Sequence, residues 1–215
     1  MSARKVFWII GGAIAAVIVV AIGAWIIVTQ NIETPDYQTV VEDGAFEIRE
    51  YPEMIAAQVK RTGTRDKTVR EAFEPLADYI FARERGGDSI SMTAPVTQEP
   101  AEKIAMTAPV TQTQQEGEWV VRFIMPSKYT MEDLPKPGGD VTLEKIAPER
   151  RAAIRFSGSW DTELFNRKTE ELRAWLSERG IEPTGPPTYA YYNDPFTPSF
   201  LRRNEVMFDI PADAS

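Results

Sequence analysis

Two near-identical stretches contain the pair of residues in this chain that most suggests metal chemistry. Residues 90–98 read ISMTAPVTQ and residues 104–112 read IAMTAPVTQ, with the five residues EPAEK between them. The repeat puts Met92 and Met106 at equivalent positions, and two thioethers can ligate a metal ion. Thioethers are weak ligands, however, and methionine commonly fills gaps in apolar cores. We therefore favour the packing of two neighbouring strands, with metal ligation as the alternative.

The composition restricts the remaining chemistry. The 215 residues contain no His and no Cys, which excludes imidazole-based catalytic triads, His-ligated metals and disulfides. Carboxylates such as Glu50 and Glu144 remain for acid–base chemistry, but no pair of acids stands at a defined catalytic spacing. Tyr129, Tyr191 and Tyr192 are candidate phenolate ligands for ferric iron. Tyrosine in an alternating strand is more often a half-buried packing residue.

The elements that must position these residues occur in a repeated order of strand, strand and helix. The first set comprises a hairpin over residues 37–51 that turns at Asp43-Gly44, a strand over 54–61 and a helix that begins near Thr68. The second set, about a hundred residues later, comprises strands over 141–146 and 150–157 and a helix that is capped by Asp161 or Ser159 and stops at Gly180. Further strands are predicted over residues 119–125, 188–192 and 204–210. This order predicts an α+β fold with two main helices.

The first helix carries both a start signal and an apolar stripe. Thr68-Val-Arg-Glu71 fits a capping box. Apolar residues then recur at spacings of three and four, which indicates one buried face. These residues are Val69, Ala72, Phe73, Leu76, Ala77 and Ile80.

A long apolar segment precedes these elements. Residues 6–28 read VFWIIGGAIAAVIVVAIGAWIIV, which is 23 residues without a charge and long enough for a helix to cross the roughly 30 Å hydrocarbon core. Trp8 and Trp25 lie near its ends, where indoles favour the membrane interface. We predict one transmembrane helix. A signal peptide cleaved near residues 21–23 is the alternative, but signal peptides have shorter apolar cores, of about 7–15 residues.

Charges on either side of this segment predict its orientation. Arg4 and Lys5 precede the segment, so residues 1–5 are expected in the cytoplasm and the main domain in the periplasm or another extracytoplasmic space. Residues 29–36 then form a tether, residues 37–210 the folded domain and residues 211–215 a tail. Arg4 and Lys5 are the only charged residues among the first thirty, so residues 31–215 contain 22 basic and 32 acidic side chains, a formal charge of −10. Such a domain is not expected to bind nucleic acid.

Three separated motifs make the chain resemble the SOUL haem-binding protein family. They are KIAMTAPVT at 103–111, WVVRFIMPSKYTMEDLPKP at 119–137 and YNDPFTPSFLRRNEVMF at 192–208. The resemblance covers about residues 37–210, and bacterial members look similar in carrying the MTAPV element twice. It implies a distorted antiparallel β-barrel of two βαβ-like halves, which is also the fold of regulatory effector-binding domains. It also implies reversible binding of haem or a metal-free porphyrin in a shallow apolar groove beside the first helix, without enzymatic activity.

The resemblance places the binding residues on that helix. Arg70 is expected to meet a tetrapyrrole propionate, because Arg binds carboxylates in bidentate fashion. The groove floor is expected from Phe73, Leu76, Ala77 and Ile80, and plain burial against the sheet is the alternative for Phe73 and Ile80. Two basic residues of some relatives are replaced here by Asp78 and Thr197. Residues 202–205, Arg-Arg-Asn-Glu, match the family closely, and we expect them to form a structural cluster with an ion pair at Glu205.

Three functions are therefore compared. The favoured one is a membrane-anchored module that binds haem or a related tetrapyrrole without a His axial ligand. The second is a sensor or scavenger of other flat amphipathic small molecules, for which haem is incidental. The third, least favoured, is a carboxylate-based enzyme that acts on such ligands.

The predicted orientation is tested by proteolysis. A protease added to intact spheroplasts should digest the domain after residue 36, because Arg4 and Lys5 hold the N-terminus in the cytoplasm. Immunoblotting of the domain measures the digestion, with a cytoplasmic marker as control. Protection of the domain until the cells are lysed would show that the orientation is wrong.

Overall fold

Strand and helix boundaries follow local turn chemistry closely. The computed structural model describes residues 33–81, 108–115, 117–193 and 196–214. The first half consists of β1 (Gln38–Asp43), β2 (Phe46–Tyr51), β3 (Met54–Arg61), α1 (Arg65–Phe81), β4 (Val110–Gln115) and β5 (Glu118–Ile124). The second half consists of β6 (Thr142–Ile146), β7 (Glu149–Phe156), α2 (Thr162–Glu178), β8 (Thr188–Tyr191), a short 3-10 turn (Ser199–Leu201) and β9 (Asn204–Ile210). The predicted twofold succession of strand, strand and helix is confirmed.

All described strands join one antiparallel sheet in the order β1-β2-β7-β9-β8-β4-β5-β3-β6. The order is symmetric about the β4–β8 pair. On one side β3, α1, β4 and β5 form a unit, and on the other β7, α2, β8 and β9 repeat it. The strand before each unit pairs with the other unit, since β2 lies on β7 and β6 lies on β3. The two halves are therefore interlocked.

The distorted β-barrel that the resemblance implies is corrected by the structure, in which the described sheet is antiparallel but is not closed into a barrel. The described sheet ends in β1 on one side and β6 on the other, and these two edge strands do not pair with each other. Both edges are short, with six and five residues, and five of the six residues of β1 are exposed. A short, polar edge is typical of a sheet that stays open, because it offers little apolar surface to a further strand.

The first helix begins earlier than the capping box predicts. It starts at Arg65, and the backbone amides of Lys67 and Thr68 donate to the Thr64 carbonyl. Thr68 is fully buried, and its hydroxyl lies 2.7 Å from the amide nitrogen Nε2 of Gln112, which donates to it. The Thr68 side chain thus ties α1 to β4 instead of capping the helix.

The second helix begins and ends as predicted. The Asp161 carboxylate accepts a hydrogen bond of 2.7 Å from the Leu164 amide, as an N-cap residue does. Gly180 follows the helix with a φ of 68°, in the left-handed region that favours glycine after a helix end.

Both helices pack on the same face of the sheet. Tyr189 of β8 packs against α2, and Gln112 of β4 contacts α1. These two residues are direct cross-strand partners, so they point to one face. The apolar core lies between this face and the helices. Leu76 and Ile80 of α1 pack in one cluster with Phe123 of β5, and Phe165 of α2 packs in the other.

The opposite face, against which no helix of the described residues packs and which is called the helix-free face below, is built around one buried carboxylate. Glu205 of β9 is 0% exposed and accepts two hydrogen bonds from Arg49 of β2, at 2.7 and 3.0 Å. Arg203 Nη2 donates to the same carboxylate at 2.7 Å, and the Tyr192 hydroxyl donates at 2.8 Å. The predicted structural cluster with an ion pair at Glu205 is confirmed.

This network keeps its charges although it is buried. Burial alone would raise the pKa of the Glu205 carboxyl, but the bonds and charges of Arg49 and Arg203 outweigh it and hold the pKa below its ordinary value. The bonds to Glu205 likewise outweigh the burial of Arg49 and raise the pKa of its guanidinium. The ion pair is therefore present over the whole neutral range.

No helix among the described residues is long and apolar enough to cross a membrane. The predicted span, residues 6–28, lies outside the described residues, and so does Met92 with its partner Met106. Of the second copy of the repeat, residues 108–112 are described, and β4 begins directly after Pro109.

Replacement of Glu205 by Gln should destabilise the fold by about 3–5 kcal/mol at pH 7, because it removes the buried carboxylate that Arg49 and Arg203 share and leaves Arg49 with Glu47 alone. The folded-state pKa of Glu205 lies below its ordinary value of 4.5. Its stabilisation is therefore complete above that pH and is lost as the pH falls through the folded pKa. The difference between wild type and variant should shrink in acid, which urea unfolding from pH 7 to pH 3 measures.

The matched control is Glu163→Gln, an acid on α2 whose side chain is 87% exposed. This variant should unfold like the wild type at every pH. A Glu205→Gln variant as stable as the wild type at pH 7 would contradict the role given to the ion pair.

Candidate functional site

The five residues predicted to bind a tetrapyrrole divide into an exposed pair and a buried trio. Arg70 is exposed, and Phe73 is 44% exposed, one helical turn further along α1. Leu76, Ala77 and Ile80 are 0%, 6% and 1% exposed and face the sheet. In this structure the surface available to a ligand on α1 is therefore that of Arg70 and Phe73, while the trio supports it from beneath.

The Phe73 ring is held in place by the core. It meets the buried Phe123 of β5 edge to face, with 5.5 Å between the ring centroids and 65° between the planes. Edge-to-face contact of this kind is favourable and directional. One face of an exposed aromatic ring is thereby oriented by a rigid strand, which suits contact with a flat apolar ligand.

The Arg70 guanidinium is also positioned by the helix. Its Nε donates to the Asp66 carbonyl at 2.9 Å. That bond uses Nε. A bidentate contact with a carboxylate can then be made by the two terminal nitrogens of the guanidinium. Asp78, where some relatives have a basic residue, is half-buried on the same helix, and Thr197 is 4% exposed.

Two of the three candidate tyrosines, Tyr191 and Tyr192, are poorly suited to ligate iron as phenolates. Burial raises the pKa of the Tyr191 hydroxyl above its usual range. Burial and the negative charge of Glu205 raise the pKa of Tyr192 well above its usual range, and its hydroxyl proton is donated to that carboxylate. Tyr129 lies half-buried after β5. Within the described residues, no group of three or more Asp or Glu side chains is arranged to hold a metal ion.

The two carboxylates considered for catalysis are engaged in ion pairs. Glu50 Oε1 lies 2.6 Å from Arg150 Nη2 across the β2–β7 pair. Glu144 Oε2 lies 3.3 Å from Arg122 Nη2. Both carboxylates are therefore occupied by contacts within the sheet, and the two do not form a pair of acids facing one cleft.

A cleft of about 380 Å³ at the edge of the sheet was not predicted from the sequence. It lies between residues 33–36, called the strap here, the start of β3 and the loop after β5. Lys145 of β6 also lines it. The motif at 119–137 supplies residues 124–127 and 129–132 of its lining. The other lining segments lie up to 112 positions apart in the sequence, and no signal in the sequence places them beside that motif.

The helix-free face offers much less space. Between Tyr51, Arg151, Tyr192 and Met207 a void of only about 20 Å³ remains, because the ion-pair network and these side chains fill it. The outer side of α1 and the edge cleft are therefore the two surfaces considered below as ligand sites.

Comparison with known proteins gives a family and a fold. The family model described as "SOUL heme-binding protein" matches residues 32–209. The C-terminal domain of EcmrR is similar in structure, with a TM-score of 0.55 and 14% identity over 81% of this chain and 98% of that one. No significantly similar curated protein was found.

Two structures from Listeria innocua are similar to the same extent. A hydrolase has a TM-score of 0.54 and 13% identity, covering 80% of this chain and 94% of its own. An uncharacterized conserved protein has a TM-score of 0.55 and 15% identity, covering 77% and 92%. At such low identity these likenesses show a shared fold and carry no statement about ligands or reactions.

Proposed function

The chain belongs to the SOUL haem-binding protein family, and from that premise we propose that it binds haem or a related tetrapyrrole reversibly on the outer surface of α1. The observation that carries the proposal is the family match over residues 32–209, which covers the whole described domain apart from its last residues. Arg70 and Phe73 supply the contacts, and Leu76, Ala77 and Ile80 form the supporting layer beneath them.

Apolar contact supplies most of the binding free energy. A porphyrin that covers about 200 Å² of apolar surface around Phe73 gains about 5 kcal/mol from the hydrophobic effect, before the entropic cost of association. Because Phe123 already fixes the ring, little side-chain entropy is lost when the ligand binds. This gain is smaller than the about 8 kcal/mol net that a micromolar complex needs, so the ligand is expected to bind weakly and reversibly.

Charge then orients the ligand. A propionate that meets the terminal nitrogens of Arg70 forms a charge-assisted bidentate pair. The formal charge of −10 on residues 31–215, the 22 basic against 32 acidic side chains counted above, opposes an anionic ligand elsewhere on the surface. Arg70 is therefore the group that decides where the propionate end lies.

Iron contributes little to this mode of binding. The chain has no His and no Cys, and the raised pKa of Tyr191 and of Tyr192 disfavours the phenolate form that iron requires. The ligand is held by its faces and its propionates. We also propose that the domain acts outside the cytoplasm, anchored by residues 6–28, and that it performs no reaction.

Haemin and metal-free protoporphyrin should therefore bind the full chain within about tenfold of each other, a gap of about 1.4 kcal/mol. Parallel titrations followed by tryptophan fluorescence and by absorbance measure both affinities. Arg70→Ala should weaken both ligands by a similar factor, and Arg70→Lys should recover only part of the loss, since Lys lacks the bidentate geometry.

Matched controls are available elsewhere on the protein surface. Arg167→Ala removes an exposed Arg of α2, and Phe200→Ala removes an exposed Phe of the 3-10 turn. Neither should change porphyrin binding, whereas Phe73→Ala should reduce it. Haemin binding a hundredfold or more tighter than protoporphyrin would reveal an axial ligand and defeat this mechanism. Absence of binding for both ligands would favour another amphipathic molecule as the natural ligand.

A further inference from the structure

The edge cleft combines an apolar floor with an acidic rim. Its floor is formed by the side chains of Met54, Ile55, Ile124, Pro126, Tyr129 and Met131. With about 380 Å³ it falls within the range of small-molecule sites in proteins, which is roughly 300–1,000 Å³. It shares no lining residue with α1, so it is separate from the surface proposed above for tetrapyrroles.

Four carboxylates and one ammonium group line this cleft. The acids are Glu33, Asp36, Glu53 and Glu132, and the base is Lys145. Lys145 Nζ lies 3.5 Å from Glu53 Oε1 and so neutralises that acid. Asp36 and Glu132 form no ion pair with any residue that the structure describes. The cleft therefore carries a surplus of three negative charges next to apolar surface.

The rim is ordered by its own hydrogen bonds. Glu33 Oε1 accepts from both the amide and the hydroxyl of Ser127, each at 2.9 Å, which joins the strap to the loop after β5. Asp133 caps the same loop by accepting from the amide and the hydroxyl of Thr130, at 3.0 and 2.7 Å. Glu33 and the loop after β5 are thus held in place before a ligand arrives, and such preorganisation reduces the cost of binding.

From this arrangement we propose that the edge cleft binds an organic cation with an apolar body, such as an aromatic quaternary ammonium compound. The apolar body contacts the methionine and isoleucine side chains of the floor, and the positive group lies among the rim carboxylates. The Tyr129 ring contributes apolar contact only, because the Lys128 ammonium already lies 4.7 Å from its centroid and repels a second cation there.

The same charges exclude the ligand proposed for α1. A tetrapyrrole with ionised propionates would bring two negative charges into a rim with surplus negative charge and a single basic lining residue. Two unit charges about 6 Å apart interact by about 1 kcal/mol at an effective dielectric constant between those of water and of a protein surface. The two surfaces therefore select ligands of opposite charge.

Two probes with the same apolar body and opposite charge test the proposal. They are 1-naphthylmethyl-trimethylammonium and 1-naphthylmethanesulfonate, titrated calorimetrically into the full chain in lipid nanodiscs, with empty nanodiscs as blank. The cation should bind at least about tenfold tighter than the anion, as three surplus charges at these distances require. Its affinity should fall as salt is raised, because the rim is exposed to solvent.

Variants of the rim separate an electrostatic role from a structural one. Asp36→Asn combined with Glu132→Gln should lower the affinity for the cation about fivefold or more without lowering the affinity for the anion. Lys145→Gln should have the opposite effect, raising the affinity for the cation and lowering that for the anion. The control Glu178→Gln, an exposed acid at the end of α2, should change neither. Equal affinities for the two probes, no binding of either, or equal losses for both in the rim variants would overturn the proposal.

Arg70→Ala distinguishes this proposal from the tetrapyrrole proposal. That variant should leave the affinity for the ammonium probe unchanged, because Arg70 does not line the cleft. A loss of ammonium binding in Arg70→Ala would place the cation on α1 and contradict the assignment of the cleft. Failure of porphyrin binding has no bearing on the cleft, since the probes contain no porphyrin.

Discussion

The ion pair between Arg49 and Glu205 is the interaction on which the rest of the structure depends. It joins β2 to β9 across β7, and it does so where both side chains are almost fully buried, at 1% and 0% exposure. Each group also has one further charged partner, since Arg49 Nε donates to Glu47 at 2.7 Å and Arg203 donates to Glu205, so the buried charges form a network. Since β2 belongs to the first half of the chain and β9 to the second, the pair also holds the interlocked halves in register. Tyr192 and Arg203 complete the carboxylate's hydrogen bonds.

This network also decides where a ligand can bind. It fills the helix-free face of the sheet and leaves a void of only about 20 Å³ there. Binding is therefore displaced to the periphery, to the outer side of α1 and to the cleft of about 380 Å³ at the sheet edge. The first surface presents an aromatic ring beside a guanidinium, and the second presents apolar side chains beside carboxylates. One fold thus offers two sites with opposite charge preference.

The sequence predicted what is local and missed what depends on distant pairing. The hairpin at Asp43-Gly44, the strand over 54–61 and the cap at Asp161 were correct, because turn and cap residues act on their immediate neighbours. The barrel implied by the resemblance was not found, because its closure requires β1 to pair with β6, about a hundred residues later in the chain. The apolar stripe of α1 identified a buried face but could not separate exposed Phe73 from buried Leu76. The cleft was missed because four distant segments form it.

The central claim is that a tetrapyrrole binds on the outer surface of α1. Hydrogen–deuterium exchange of the full chain, followed by mass spectrometry with and without metal-free protoporphyrin, tests it most directly. We predict slower exchange in peptides that cover residues 65–81, because ligand contact at Arg70 and Phe73 suppresses the local opening of the helix. Unchanged exchange over these residues, with slower exchange confined to β2, β7 and β9 or to residues 126–132, would contradict the account.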